Sequence, residues 1–403
     1  MLKMSNRRHI TIANFYPITP VLGGGHRRIY FLARELSRQF AVTIISLGRG
    51  GDSRQITYSD SLQEVIVASG FEYNKAERAV AKDVEISGDL AYAMHWDKCT
   101  LYQNMLKMLV AKSVAVISAH PYSIYAIEDA VSLSKIPIIF DSQNVEVVQK
   151  RELLANYPDY LTVIYGVEKR AIEAAALRFA CSPEDILAFQ STYECECSSF
   201  ELIPNGVDAL GCPVFDDLQR ADLQASLNLS DRLHAIFAGS FHYPNFEAVD
   251  AILKLARDLP ELQISIMGSI VTYPGLKFGN LPSNIHLLGT VSESEKWVIF
   301  SSADIGLNPM LSGSGSNIKM FEYAAAKQAI LTTSFGARGI DIDKDSACIE
   351  AEIGDFYSVL KRYTPASRKE LRSIGDTART EILEKYDWSI IGRKYRELVS
   401  RVI

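Results

Sequence analysis

Lys319 and Glu322 stand three residues apart at the head of a helix-forming run, in the stretch GSGSNIKMFEYAAA (313–326). The alternating glycines and serines before them form a loop that bends freely, and the helix it feeds begins exposed. A helix N-terminus carries partial positive charge and unpaired N–H groups, so it favours anions, phosphate above all. Ser316 or Asn317 is placed to cap that helix. Lys319 puts a formal cation in the first turn, a local cost that an occupying anion offsets. Glu322 lies on the same helix face. One face then offers a cation for phosphate and an acceptor for hydroxyls, which suits the phosphate and ribose of a nucleotide. The plainer alternative is a solvated Lys–Glu pair worth a few tenths of a kcal/mol.

Four further segments carry residues of the same kind. VLGGGHRR (21–28) opens a helix with a triple glycine, which allows close backbone approach to a ligand, yet it is not the GxGxxG dinucleotide fingerprint. His120 ends the apolar run SVAVISAH, where an imidazole can donate to a ligand or handle a proton near neutral pH. DSQNVE (141–146) ends the next run, and Asp141, Asn144 and Glu146 could line the same cleft. Capping of the following helix by Asp141 or Asn144 explains that segment equally well. AGSFHYPN (238–245) adds Gly239 and Ser240 as backbone and hydroxyl donors, with Pro244 suited to a helix start.

These residues must be held by something, and the chain supplies a regular scaffold. Short apolar runs at 9–16, 41–48, 64–69, 113–120, 136–142 and 177–182 alternate with amphipathic helical patterns such as RRIYFLARELSRQF and VEKRAIEAAALRFA. That rhythm predicts parallel βαβ units. It breaks near FELIPNGVDALGCPVF, where turn formers cluster, and resumes at 233–240, 262–269, 284–290, 304–310, 329–334 and 347–351. Two doubly wound, Rossmann-like α/β domains in tandem are expected, followed by a helical tail from about residue 365. In such sheets ligands bind outside the carboxyl ends of the strands, where all five segments fall.

Composition bounds the function. At 403 residues with 48% hydrophobic, the chain can bury two cores. With 42 basic against 48 acidic residues it lacks the basic footprint of a nucleic-acid binder. Six cysteines without a disulfide framework fit a reducing compartment, and Cys195 and Cys197 in ECEC have no CxxC or His partners to make a metal site. The N-terminal stretch has no apolar signal region and no segment approaches the ~18 apolar residues of a membrane span, so a cytoplasmic protein is expected. The helix at 101–112, with Lys107 and Lys112 beside apolar residues, reads first as a solvated amphipathic helix. Peripheral contact at the inner face of a membrane is its second reading.

The run GSGSNIKMFEYAAAKQAILTTSFGARGI resembles the donor-site segment of the family 4 retaining glycosyltransferases, which have the two-domain GT-B fold. GGGH, DSQNVE, ALRFACSPED, IPNGVD, FAGSFHYPNFEAV and NIHLLGTV support the resemblance in order along nearly the whole chain. It implies an N-terminal acceptor-side domain over 1–205, a nucleotide-sugar-binding domain over 206–384, an interdomain cleft, and a C-terminal helix around Trp388 that crosses back so that 385–403 packs on the first domain. It implies donor contacts from Gly24, Gly25, Gly239, Ser240, Gly289, Ser314, Gly315, Ser316, Asn317, Ile318, Lys319 and Glu322. Within that set, residues 316–319 hold the diphosphate, Glu322 binds the ribose as the second acid of an E-x7-E pattern, and the base lies against the loop after Leu288 and Gly289. His120 matches the histidine near the transferred sugar and Lys319 takes the catalytic phosphate charge; Asn144 and Glu146, from their own place after a strand, are the candidates for the acceptor side of the cleft.

The sequence departs from the family at three places. Ser314 stands where E-x7-E has its first acid; Ser240, Phe241 and His242 replace a usual basic pair; and Asn317 stands at the arginine of a GGTRLK loop. Phosphate neutralisation then rests on Lys319, with Arg338 in GARGI as helper. Asp341 and Asp343 resemble a DxD metal pair, but a GT-B site uses helix dipole and basic side chains instead, so neither a metal nor another cofactor is expected. The expected activity is metal-independent transfer of a hexose from a UDP- or GDP-sugar to a hydroxyl of a glycan or lipid-linked acceptor in cell-envelope synthesis. A GT-B sugar-nucleotide epimerase and a non-catalytic nucleotide-sugar-binding partner are the alternatives.

Overall fold

The computed structural model describes residues 7–51, 53–84, 86–277, 281–313 and 317–403. They form two compact units: one runs to Pro204 and takes in Ile391–Ile403, and the other is Asn205–Ile390.

The first unit is built on β1 (His9–Asn14), β2 (Ala41–Gly48), β3 (Arg54–Ser59), β4 (Leu62–Ala68), β5 (Ser113–Ser118), β6 (Ile138–Asp141), β7 (Leu177–Ala180) and β8 (Glu201–Leu202). They lie in the order β3-β4-β2-β1-β5-β6-β7-β8, parallel except for β3, which pairs antiparallel with β4. β1 and β2 are buried along their whole length, as apolar strands covered on both faces must be. Most runs read as strands are shorter than expected; among them β1 stops at Asn14 and β5 at Ser118, so Tyr16 and His120 stand in the loops beyond.

Those loops are pinned by groups with no local sequence signal. Glu64, fully buried on β4, accepts hydrogen bonds from the Ile18 amide (2.8 Å), Ser46 Oγ (2.7 Å), Thr19 Oγ1 (2.8 Å) and Tyr58 OH (2.9 Å). It thereby fixes the segment between β1 and the triple glycine. Arg28, 1% exposed, donates to Asp141 (Nη2–Oδ1, 2.6 Å) and to the carbonyls of Ile203 (2.9 Å) and Pro204 (3.2 Å). The pair ties the first helix to the end of β6 and to the chain's exit from the unit.

The second unit is wholly parallel, with strands β9 (His234–Ala238), β10 (Gln263–Met267), β11 (Ile285–Gly289), β12 (Ile305–Asn308), β13 (Ala329–Thr332) and β14 (Ile349–Glu350) in the order β11-β10-β9-β12-β13-β14. Strand order reverses between β9 and β12, the place where such sheets open a crevice for ligands. The C-terminal helix Trp388–Arg401 leaves the second unit and its last residues join the first, as expected for the fold. There Tyr395 packs on Phe179 (ring centres 4.6 Å apart), Lys394 donates to the Leu202 carbonyl (3.0 Å) and Arg396 to that of Glu35 (3.2 Å).

Candidate functional site

The crevice end of the second sheet gathers most of the residues singled out above. The loop after β12 leads into the helix Ile318–Ala325; Ser314, Gly315 and Ser316 lie outside the described residues. Asn317 occupies the N-cap position but does not cap: its Nδ2 donates to the Gly336 carbonyl at 2.8 Å. The first-turn amides of Ile318 and Lys319 thus have no side-chain acceptor among the described residues, the arrangement that an anion completes.

Lys319 turns away from Glu322. Its amine donates to Asn245 Oδ1 (2.9 Å), touches Met310 Sδ (3.3 Å) and sits 4.3 Å from the centre of the Phe237 ring. None of these partners is a carboxylate. Burial of the amine lowers its pKa to about 7, and the Glu322 charge opposes that shift only in part. Glu322 is instead held by Lys296 of the helix Glu293–Ser302, Nζ to Oε1 at 2.8 Å. The local Lys319–Glu322 pair weighed from the sequence is therefore not formed, because each side chain finds a tertiary partner.

The loop after β9 supplies the other wall. Asn245 is itself anchored, Nδ2 donating to the Ser240 carbonyl at 2.9 Å. Gly239 accepts from the Ile270 amide (3.2 Å), and Gly268 lies so close that a Cβ there would fall 2.1 Å from the Gly239 oxygen. With φ +102 as well, only glycine fits at 268, a requirement the sequence reading missed. Ser240 is exposed at the strand end. Gly289, at φ +68, accepts from the Gly268 amide at 2.7 Å, beside the exposed Leu287 and Leu288. Arg338, stacked on Phe335 at 4.0 Å, borders the same loop: a Cβ on Gly313 would lie 3.6 Å from its Nη2 and 3.4 Å from Pro244.

In the first unit, Gly24 and Gly25 start the helix Gly24–Leu36. A Cβ on Gly25 would stand 2.5 Å from Gln143 Oε1 and 2.8 Å from Tyr16 OH. Tyr16 OH in turn bonds His120 Nε2 at 2.9 Å. Gly25→Ala is expected to leave the fold intact, since alanine suits a helix, but to push Tyr16 off His120. Turnover should fall about 10²-fold, as for an ångström-scale displacement at a reacting group, with an unchanged melting temperature as the control.

Behind His120 lies a buried charged cluster. His120 Nδ1 is 3.6 Å from Glu146 Oε1, Tyr122 OH donates to Glu146 Oε2 at 2.7 Å, and Lys150 bridges Glu146 to Asp89, the latter at 2.8 Å. Burial raises the Glu146 pKa, but the Lys150 ammonium and His120 outweigh it and hold the carboxyl well below its usual range. Glu146 is 2% exposed, so it does not face an open cleft as expected; it backs the histidine. Asn144 is half-buried in the turn, its carbonyl accepting from Ser142 Oγ at 2.6 Å. Asp141 and Asn144 do not cap the helix Glu146–Lys150. Glu168 does so from elsewhere, accepting from the amides of Glu146 (2.7 Å) and Val147 (3.1 Å) and from Tyr193 OH (2.5 Å). Burial and the nearby Glu146 charge raise its pKa to about 8.

Asp341 and Asp343 do not converge. Asp341 lies 3.5 Å from Lys385, and Asp343 closes a turn by accepting from the Asp345 amide (2.9 Å) and Ser346 Oγ (2.6 Å). Among the described residues no group of three or more His, Cys, Asp or Glu is arranged to hold a metal ion, and no helix is long and apolar enough to cross a membrane. On the helix Thr100–Val110, Leu101 and Met108 are exposed while Lys107 pairs with Asp129 at 2.7 Å.

Two parallel sheets, each with its conspicuous residues past the strand ends, define the GT-B fold, and comparison with known proteins agrees. Sucrose-phosphate synthase from Thermosynechococcus elongatus superposes with a TM-score of 0.74 at 14% identity, over 98% of this chain and 99% of that one. HepE of Anabaena, solved with UDP-glucose, gives 0.70 at 9% identity over 97% and 99%. WaaG, a glycosyltransferase involved in lipopolysaccharide biosynthesis, gives 0.65 at 15% identity over 96% and 99%. Residues 249–395 match the family described as Glycosyl transferase-like. No curated protein matches the sequence. The resemblance to the GT-B glycosyltransferases is borne out, and the family 4 reading is consistent with it.

Proposed function

We propose that the protein is a retaining glycosyltransferase that moves a hexose from a UDP- or GDP-sugar to an acceptor hydroxyl. The observation that carries this reading is Lys319: an amine lodged among neutral partners at a helix start that the Asn317 side chain does not cap, on the switch point of the second sheet. A buried cation without a counter-charge is unfavourable until an anion joins it. A diphosphate supplies that anion, and in the transition state the same charge stabilises the departing nucleoside diphosphate. Arg338 adds positive charge from the loop side. The helix dipole and these side chains do the work that a divalent ion does at other phosphate sites, so the reaction is metal-independent.

Glu322, one turn further along the helix, accepts from the donor ribose, and the loop after Gly289 receives the base. His120 serves the transferred sugar, its ring fixed by Tyr16 and backed by the Glu146–Lys150 pair. No carboxylate in the network around His120 is placed as an exposed nucleophile, which favours displacement on one face. The acceptor is a glycan or lipid-linked hydroxyl in envelope synthesis, reached from the cytoplasmic side.

Thermal denaturation across UDP, GDP and their sugars tests the reading. At a hundredfold excess over Kd, a ligand of the native state adds about 2.7 kcal/mol, a rise on the order of 5 °C for a chain of this size. One nucleotide class should give that shift in the wild type and lose it in Lys319→Ala and Glu322→Ala. Equal shifts in all three proteins would remove both residues from the site. A donor consumed without any acceptor would place the protein with the epimerases instead.

A further inference from the structure

The donor reading leaves Lys296 unused, although it is one of the most constrained charges in the second unit. Its ammonium lies 2.8 Å from Glu322 Oε1, 2.7 Å from Glu293 Oε1 and 4.4 Å from the centre of the Trp297 ring. The side chains of Lys296 and Glu322 are only 10% and 12% exposed, so this is no solvated surface pair. The helix that carries Lys296 is itself set by a complete capping box, Ser292 with Glu295. The largely buried Glu322 and Trp297 confine the ammonium, with Glu293 reaching it from the exposed side, and that position fixes one oxygen of Glu322.

We propose that Lys296 is a positioning residue for the donor ribose: it holds the Glu322 carboxylate aimed so that it accepts from a vicinal diol. The inference rests on reading Glu322 as the ribose acceptor. A largely buried carboxylate stripped of its ammonium loses the partner that fixes its rotamer. An ionised, oriented carboxylate takes two hydroxyls at once, the pattern offered by the 2′- and 3′-hydroxyls of a ribonucleotide and not by a 2′-deoxyribonucleotide. Lys296 thus sets selectivity for ribose without touching the ligand.

The test is the ratio of affinities for UDP and 2′-deoxy-UDP, with GDP and 2′-deoxy-GDP as the parallel pair, measured by calorimetry in the wild type, Lys296→Met, Lys296→Arg and Glu322→Gln. Methionine keeps an unbranched apolar stem and removes the ammonium with its charge. The wild type should prefer the ribonucleotide about tenfold to a hundredfold, the range of one charge-assisted hydrogen bond. Lys296→Met should lose most of that preference while binding the deoxynucleotide as the wild type does, Glu322→Gln should match it, and Lys296→Arg should restore it. A preference that survives in Lys296→Met, or an equal loss for both nucleotides, overturns the role of Lys296 alone. A wild type that does not discriminate, or binds neither pair, overturns the ribose reading of Glu322 and this inference with it. If Lys296→Met fails to fold, Glu293→Gln serves as the second variant: it leaves Lys296 free to drift, and an unchanged ribose preference there counts against the proposal.

Discussion

Replacing Lys319 with alanine should lower kcat/KM for sugar transfer by about 10²–10³-fold, the cost of removing one preorganised group from a developing negative charge, with the melting temperature of the empty protein unchanged or raised. The second half of that expectation follows from the first unit of physics at the site. Burial holds the native amine at a pKa of about 7, below its ordinary lysine value, so the folded chain binds fewer protons there than the unfolded chain. That difference penalises folding, fully below the native value and not at all above the lysine range. Stability therefore rises with pH through this window on account of Lys319, and the variant loses that slope. Donor binding has the opposite dependence. Only the charged amine pairs with the diphosphate, so affinity should fall as pH rises above about 7, and level off below it. His242, lowered by burial and by the Lys319 charge, and Glu322, whose charge opposes the lysine shift from a turn further along the helix, are the titratable groups coupled to this amine among the described residues. A pH-independent affinity, or a Lys319→Ala enzyme with full turnover, would take the phosphate role away from this residue.

Asp141→Ala should cost about 3–5 kcal/mol of stability, the penalty of leaving a buried charge without its partner. The Arg28 guanidinium meets Asp141 through both Nε and Nη2, at 3.2 and 2.6 Å to Oδ1, and both side chains are buried. Arg28 also organises the Ile203 and Pro204 carbonyls, so the loss reaches the end of the unit. Urea denaturation followed by circular dichroism reads the effect as an early transition of the first unit. Changing both residues to leucine should recover much of the loss, since a well-packed apolar pair of similar volume is often as stable as the ion pair it replaces. An Asp141→Ala loss below about 1 kcal/mol would mean that the pair is solvated.

Asp141 also shows where sequence reasoning stops. Its type and its place after an apolar run fit a cleft residue or a helix cap, and it is neither, because its partner lies more than a hundred residues earlier on another helix. The strands were legible wherever burial on both faces demanded an unbroken apolar run, as in β2, whose limits agree to the residue. β3 was not, since RQITYS is an exposed edge strand with alternating burial and little apolar content. β8, of two residues, offers no period to detect. At the site, residue types were readable and pairings were not. Lys319 and Glu322 stood out by spacing, but their partners Asn245 and Lys296 come from other strand-helix units. Glu146 and Lys150 carried one usable signal, the i,i+4 spacing of an ion pair, which points inward here rather than to solvent. Glu168 and Glu64 carried none: a lone glutamate in an amphipathic helix or at the start of a strand looks like any surface acid until the amides and hydroxyls around it are known.

The most direct test of the account is calorimetry of the nucleotide sugar that gives the largest thermal shift, run at pH 8 in two buffers of different ionisation enthalpy. One site per chain is expected, with close to one proton taken up on binding, because an amine with a pKa of about 7 is mostly neutral in the empty protein and charged beside the diphosphate. Lys319→Met should lose both the affinity and the proton. Tight binding with no proton uptake, unchanged in Lys319→Met, would contradict the claim that this lysine and its helix start hold the diphosphate of a sugar donor.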